Sequence, residues 1–328
     1  MSRHISFSEA IREALAEEMS RDPAVFIIGE DVGVFGGVFG VTTGLVDEFG
    51  ENRVRDTPIS EQAIVGAGLG AALVGLRPVA EIMFSDFVTV AMDQVVNQAA
   101  KARYMSGGKA QVPLTIRIVN GAPGSAAAQH SQSPEAWFMN VPGLKIAVPA
   151  TPYDAKGLLK TAIRGQDPVL FFEHKMLYAL KGEVPKEDYT VPFGQAALRR
   201  EGDLATIIAI GGVLPKVMAA ADHLAERGLS VEVIDPRTLV PLDTDKLVES
   251  VKKTNRAIIV HEAHRRAGPG AEIAAILAEE AIGYLDAPIV RVATKNVPFP
   301  YHPLLEKFIL PEVEDIVRAV ESLVRYQF

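Results

Sequence analysis

Four stretches of the chain carry side chains whose types and spacing suit chemistry. Glu61 lies in Thr57-Pro58-Ile59-Ser60-Glu61-Gln62, where Pro58 stops a strand, Ser60 can cap a helix and Glu61 enters the first helical turn. A carboxyl fixed there can hold a proton against a bound ring, although an acidic residue at a helix start also complements the helix dipole with no ligand at all. Gly66-Ala67-Gly68-Leu69-Gly70-Ala71-Ala72 follows, giving the helix a face nearly free of side chains. A cofactor ring or another backbone can come close to such a face, and core packing accounts for it equally well. His130 falls in a loop of small residues, Gly121 to Pro134, where an imidazole can face a cavity and move protons near neutral pH; a lone histidine is also often structural or solvated. Glu30-Asp31 stands directly after an apolar run and precedes Gly33, Gly36, Gly37 and Gly40, a spacing that does not match the dinucleotide fingerprint and that a flexible loop explains. His261-Glu262-Ala263-His264-Arg265-Arg266 directly follows a later apolar run, and is either the edge of a site or interface or a solvated loop. No serine-type triad surrounds His130, and the seven histidines show no His-Glu-x-x-His spacing.

These residues need elements to position them, and the pattern supplies them. Short apolar runs alternate with amphipathic stretches of helical length, the signature of an α/β fold with parallel sheets covered by helices on both faces. Strands are expected at 25–29, 79–84, 114–119, 146–148 and 169–173, with helices near 8–14, 61–74, 86–105 and 152–164. Proline and charge accumulate over 175–192, and the rhythm resumes with strands at 205–210, 231–234, 257–260 and 289–292 and helices near 214–227, 243–252, 270–280 and 312–325. The expected organisation is a domain over 1–180, a linker over 181–200 and a smaller α/β domain over 201–328. At 328 residues two cores are comfortable, since single cores usually stop growing at roughly 250–300 residues.

Composition removes several function classes. Hydrophobic residues make up 48% and charged residues 23%, and the apolar run from Ala63 to Ala80 is diluted by four glycines and broken at Arg77-Pro78, so no membrane helix is expected. A net charge of -8 with no Lys/Arg cluster argues against nucleic acid. The absence of cysteine removes disulfides, thiolate metal sites and cysteine nucleophiles. Met1-Ser2-Arg3-His4 lacks the basic and apolar regions of a signal peptide, so the cytoplasm is the expected location.

Six blocks in order then resemble a known family: Gly29-Glu30-Asp31-Val32, Asp56-Thr57-Pro58-Ile59-Ser60-Glu61, Gly75-Leu76-Arg77-Pro78-Val79-Ala80-Glu81, Tyr104-Met105-Ser106-Gly107-Gly108, His130-Ser131-Gln132-Ser133-Pro134-Glu135-Ala136, and Thr151 through Leu159. Over nearly its whole length the chain is similar to the beta subunits of the thiamine-diphosphate-dependent component of pyruvate, branched-chain 2-oxo acid and acetoin dehydrogenase complexes. The resemblance implies a transketolase-type pyrimidine-binding domain and a C-terminal domain, assembled with an alpha subunit into an α2β2 heterotetramer. By it, Glu61 bonds N1′ of the aminopyrimidine and favours its imino tautomer, Phe87 stacks on the ring, and Ile59 offers it a backbone contact. His130 matches the histidine near the reacting centre, orienting the intermediate or helping transfer the acyl unit to lipoamide. Glu30 and Asp31 match acidic positions at the subunit junction, where water and carboxylates link two active sites.

Cofactors of this kind hold their diphosphate through a divalent metal bound by Gly-Asp-Gly and a later Asn, and this chain has no Gly-Asp-Gly. The resemblance therefore assigns the magnesium and diphosphate ligands to the alpha subunit, with the cofactor between chains. It also implies a potassium ion on carbonyls at Leu114, Ala162 and Ile163, with Asp167 near; Gly165 stands where relatives often carry Asp. The expected activity is oxidative decarboxylation of a small 2-oxo acid, most simply pyruvate, with reductive acylation of lipoamide on the lipoyl domain of a dihydrolipoamide acyltransferase core. Glu173-His174-Lys175-Met176-Leu177-Tyr178 and Lys181 to Pro185 look like acetoin enzymes, which makes acetoin cleavage the alternative. A non-catalytic α/β binding module is the third reading, and the joint presence of Glu61, Phe87 and His130 argues against it.

Overall fold

The alternating pattern becomes, in a computed structural model that describes residues 2–326, two α/β units. The first comprises the residues up to Asn120 together with Trp137–Phe193, and the second Gly121–Ala136 together with the residues from Gly194 onward. The strands are β1 (Ser2–Ser6), β2 (Val25–Gly29), β3 (Val54–Asp56), β4 (Arg77–Ile82), β5 (Thr115–Asn120), β6 (Lys145–Ala147), β7 (Val169–His174) and β8 (Lys181–Pro185) in the first unit. In the second they are β9 (Ala197–Arg200), β10 (Ala205–Ala209), β11 (Val231–Asp235), β12 (Thr238–Val240), β13 (Ala257–His264) and β14 (Val290–Thr294).

Six strands of the first unit run parallel in the order β6-β7-β5-β4-β2-β3. The central ones are apolar on both faces because helices cover both; β4, β5 and β7 are buried almost throughout. The helices are α1 (Phe7–Arg21), α2 (Leu45–Phe49), α3 (Glu61–Leu73), α4 (Ala100–Met105), α5 (Glu135–Met139) and α6 (Pro152–Arg164). A capping box between Ser6 and Glu9 starts α1, which runs a full two turns past the expected 8–14 because Leu15 and Met19 continue its buried stripe. Thr151 caps α6, with Pro152 in the first turn. The two helices share a charged seam: Lys156 pairs with Glu13 and Glu17 at 3.2 and 2.7 Å, and Arg164 with Glu18 at 2.6 Å.

The segment expected as one helix over 86–105 is broken. A 3-10 turn occupies Ser85–Thr89, a π-helix Gln94–Ala99, and only then does α4 begin. The Thr89 hydroxyl donates to the Asp86 carbonyl at 2.8 Å, a local bond that competes with regular helix geometry. Residues 181–200, expected as linker, contain β8, which pairs antiparallel with β1, and all of β9.

The second unit has the sheet order β14-β13-β10-β11-β9, parallel except for the antiparallel edge β9. Its helices are α7 (Leu214–Ala225), α8 (Thr244–Thr254), α9 (Pro269–Glu280), α10 (Pro303–Ile309) and α11 (Val313–Val324). Strand β13 extends four residues beyond the expected 257–260 and carries a register shift: His261 pairs with Ala293 and His264 with Thr294, so Glu262 and Ala263 bulge out. Among the described residues no helix is long and apolar enough to cross a membrane.

Candidate active site

Three neighbouring strands of the first unit deliver candidate residues to one edge. Strands β2 and β3 are parallel with Gly29 opposite Asp56, so Glu30 and Thr57 leave the sheet side by side at its carboxyl edge, where ligands of open parallel sheets gather. The Thr57 N–H donates to the Gly29 carbonyl at 2.9 Å, joining the two turns, and the Gly33 N–H donates to Asp56 Oδ1 at 2.6 Å. The glycine run after Asp31 is therefore a bonded turn rather than a loose loop: the Gly37 N–H reaches the Asp31 carbonyl at 2.7 Å, and buried Thr42 donates to the Val32 carbonyl at 2.7 Å.

Glu61 opens α3 as expected, half-buried at that edge. Ser60 sits at the N-cap position, but its side chain makes no capping bond, contrary to the sequence expectation; its backbone at φ -168° and ψ 80° departs from the usual cap geometry. Glu30 is electrostatically coupled to Glu61. Burial first, then the charges of Asp31 and Glu61, hold the Glu30 carboxyl above its ordinary range. Phe87 follows β4, and the 3-10 turn that interrupts the expected helix presents its ring edge-on to Phe84 at 6.3 Å, which in turn meets Phe39 at 5.7 Å. Ile59, next to Glu61 in sequence, is 75% exposed. The glycines of α3 divide by role. A Cβ on Gly68 would come within 3.1 Å of Leu114, so Gly68 serves packing onto the sheet, whereas Gly66 faces Gln94 and Gly70 faces open space.

Behind this edge lies a charged group that sequence reasoning missed. Arg117 on β5, 1% exposed, donates to Glu173 on β7 at 2.6 and 2.7 Å and to Glu81 on β4 at 2.5 Å, while Tyr178 donates to Glu173 at 2.8 Å. The two carboxylates hold the guanidinium firmly charged. Burial outweighs this pairing at Glu81 and keeps its carboxyl above the usual range. The available signal was a charged residue inside each of three mostly apolar strands, Glu81, Arg117 and Glu173.

His130 is carried by the second unit, half-buried, on the loop that starts at Gly121. A cavity of about 370 Å³ adjoins this loop, lined by Ala128, Gln132, His264, Arg266, Asn296 and Phe299 among others. The residues matched to a potassium site lie elsewhere, at the amino-terminal edge of the first sheet. The Leu114 carbonyl accepts from the Val169 N–H at 2.9 Å, that of Ala162 from the Gly165 N–H at 3.1 Å, and that of Ile163 from Arg77 at 2.9 Å. Asp167 pairs with Arg103 and Lys145 at 2.7 and 2.9 Å. Every one of these groups is already engaged within the chain, so potassium there rests on the resemblance alone.

Comparison with known proteins decides the family. The transketolase pyrimidine-binding domain matches residues 3–181, and the transketolase C-terminal domain matches residues 194–316. The chain belongs to the transketolase pyrimidine-binding family. Within it, the chain is 50% identical over 335 residues to the beta subunit of acetoin:2,6-dichlorophenolindophenol oxidoreductase of Bacillus subtilis (98% of both chains). It is 47% identical over 322 residues to the pyruvate dehydrogenase E1 component subunit beta of Rickettsia felis (98% and 99%). It is 46% identical over 324 residues to the 2-oxoisovalerate dehydrogenase subunit beta of Bacillus subtilis (98% and 99%). A solved split-gene transketolase, described as an inactive beta4 tetramer, superposes with a TM-score of 0.80 over 98% of both chains at 24% identity, which establishes the shared fold. Family membership accounts for the two-domain α/β architecture and for the order of the six sequence blocks.

Proposed function

We propose that this chain is the beta subunit of a 2-oxo acid dehydrogenase of the pyruvate dehydrogenase type, active with an alpha subunit that completes its site. The observation that carries the reading is the placement of Glu61 on a first helical turn at the carboxyl edge of β2, β3 and β4, with Glu30 electrostatically coupled to it and Phe87 after the neighbouring strand. This donor set fits the pyrimidine half of thiamine diphosphate: a carboxyl for N1′, an aromatic face, and Ile59 exposed beside Glu61. When bound, that cofactor supplies the carbon nucleophile that attacks the substrate carbonyl.

The work left to this chain is proton and position control. Glu61 holds a proton at its carboxyl oxygen against the ring nitrogen, and α3 fixes the direction of that bond. Glu30, its carboxyl raised above the usual range by burial and by the charges of Asp31 and Glu61, sets the electrostatic field in which Glu61 works. Phe87 orients the ring plane, and its contact with Phe84 restricts its own rotation. His130 faces the acyl group in its transfer to a lipoyl acceptor carried by an acyltransferase core. The magnesium and diphosphate ligands belong to the alpha subunit, because this chain lacks Gly-Asp-Gly.

The identity of 50% to an acetoin oxidoreductase beta subunit specifically favours a second reading, in which acetoin replaces the 2-oxo acid at the same site. The test is co-expression with an alpha subunit carrying Gly-Asp-Gly, followed by dye-coupled turnover of pyruvate, branched 2-oxo acids and acetoin with thiamine diphosphate and magnesium. Pyruvate turnover supports the first reading, and turnover of acetoin alone supports the second. Glu61→Gln should abolish turnover by either route while the tetramer still forms, because it keeps the shape and loses the acid. Full activity in Glu61→Gln would overturn the assignment.

A further inference from the structure

The loop bearing His130 cannot hold its own shape. From Gly121 to Ala128 it reads Gly-Ala-Pro-Gly-Ser-Ala-Ala-Ala, with no side chain longer than a proline ring to pack it. Its backbone is nevertheless unusual: Ser125 and Ala127, neither a glycine, adopt left-handed φ values of 52° and 61°. Such conformations cost of order 1 kcal/mol each and persist only when the surroundings enforce them.

Two buried carboxylates hold the backbone of this loop at Ala122, Gly124 and Ser125. Glu262, 7% exposed, accepts the Ala122 N–H at 2.5 Å, and Glu306, 2% exposed, accepts the N–H groups of Gly124 and Ser125 at 3.2 and 3.1 Å through one oxygen. The loop base is closed by the Gly121 N–H on the Gln132 carbonyl at 3.1 Å, and Ala122 is packed in an apolar cluster with Phe299, Ile309 and Leu310. Both carboxylates come from elements shaped for the task. Glu262 sits in the β13 bulge, its own carbonyl held by the Thr294 hydroxyl at 2.5 Å, and Glu306 is a buried residue in α10 among exposed Leu304, Leu305 and Phe308. A connecting loop has no use for two desolvated carboxylates, which are costly to bury. The other oxygen of Glu306 is buried without a hydrogen-bond partner among the described residues.

We infer that Glu262 and Glu306 are positioning residues: they clamp the backbone at Ala122, Gly124 and Ser125 so that His130 is presented to the reacting centre. The inference rests on the proposed role of His130. Charge-assisted bonds from backbone N–H to carboxylate are the strong class, suited to holding a loop that has no side chains of its own.

The test uses the assembled enzyme with its alpha subunit, thiamine diphosphate and magnesium, with turnover read as acyl transfer to a lipoyl acceptor. Glu306→Ala should lower kcat about tenfold or more, and should speed amide exchange in peptides covering 121–136 by a similar factor while peptides of α3 stay unchanged. Glu306→Gln, whose side-chain oxygen still accepts both N–H groups, should recover most of the lost turnover and protection. In a His130→Ala background, Glu306→Ala should cost less than about twofold, because it acts through the missing imidazole. An equal further loss in that background, or unchanged exchange in an impaired Glu306→Ala enzyme, would overturn the clamp. Full turnover by His130→Ala would sink the role of His130 and this positioning with it. An impaired His130→Ala beside a fully active Glu306→Ala would sink the clamp alone.

Discussion

At the scale of single residues, the most consequential group is one that no motif announces. Arg117 is flanked by Glu81, 36 residues earlier, and Glu173, 56 residues later, and only the parallel order β4-β5-β7 brings them together. Removing the cation leaves two carboxylates facing one another without water. Arg117→Leu is expected to destabilise the chain by about 3–5 kcal/mol, the usual cost of breaking one side of a buried pair. Urea unfolding against wild type checks this; a loss below about 1 kcal/mol would mean that the carboxylates simply protonate. The contrast with Glu61 shows what sequence can carry. Its local setting, an acidic residue at a helix start, is indistinguishable from a dipole partner, and the surrounding ordered blocks single it out. Arg117 had no such neighbours, because its meaning depends on strand order. Glu306 was hidden for the same reason: its partners, the Gly124 and Ser125 amides, stand about 180 residues away.

At the scale of elements, long periodic segments were legible and short or locally bonded ones were not. Helix α6 falls on the expected 152–164, since Thr151 and Pro152 mark its start and its buried stripe continues to Ile163. Strand β3, with three residues of which one is buried, offers no alternation to read. The interrupted 86–105 segment failed for a different reason: the Thr89 side chain and the Phe84–Phe87 contact select a 3-10 turn over the helix that propensity favours. Element packing also sets a pH dependence. His261 on β13 is 1% exposed, with Gly268 and Gly270 against its ring at the start of α9, and burial pushes its imidazole down to about 4. A depressed folded-state value means that the unfolded chain takes up the proton first as pH falls. The contribution of neutral His261 is therefore fully present above about pH 6.5 and is lost progressively down to about pH 4, amounting to about 3 kcal/mol. His261→Leu should flatten the stability profile across that window, measured as the difference between wild-type and variant unfolding free energies at each pH. Parallel profiles would show that His261 does not titrate on unfolding.

At the scale of the whole molecule, the division into two units departs from the linear order of the chain. Contacts group residues 121–136 with the second unit, although the pyrimidine-domain match runs through residues 3–181. The loop's bonds to Glu262 and Glu306 explain that grouping, and a linear reading places it with the first unit because nothing in its small residues points elsewhere. The first unit also exposes apolar side chains that a finished surface would cover. Val34 is 85% exposed, Phe35 68% and Tyr104 88%, with Ile59 beside Glu61 equally open. Covering these side chains with another protein would remove from water apolar area that the isolated chain leaves exposed. If the alpha subunit completes the cofactor site at the Glu61 edge, its binding should slow amide exchange in peptides covering 33–36, 57–62 and 103–106. Peptides of β10 and β11 should remain as in the isolated chain. A charge in place of the most site-proximal apolar group, Ile59→Asp, should weaken assembly at least tenfold, since burying an unpaired carboxylate at an interface costs several kcal/mol. Both effects are needed, because protection alone could follow from ordering at a distance. Tight assembly by Ile59→Asp with normal turnover would place the alpha subunit on a different face, and the site at Glu61 would then have to be closed by this chain alone.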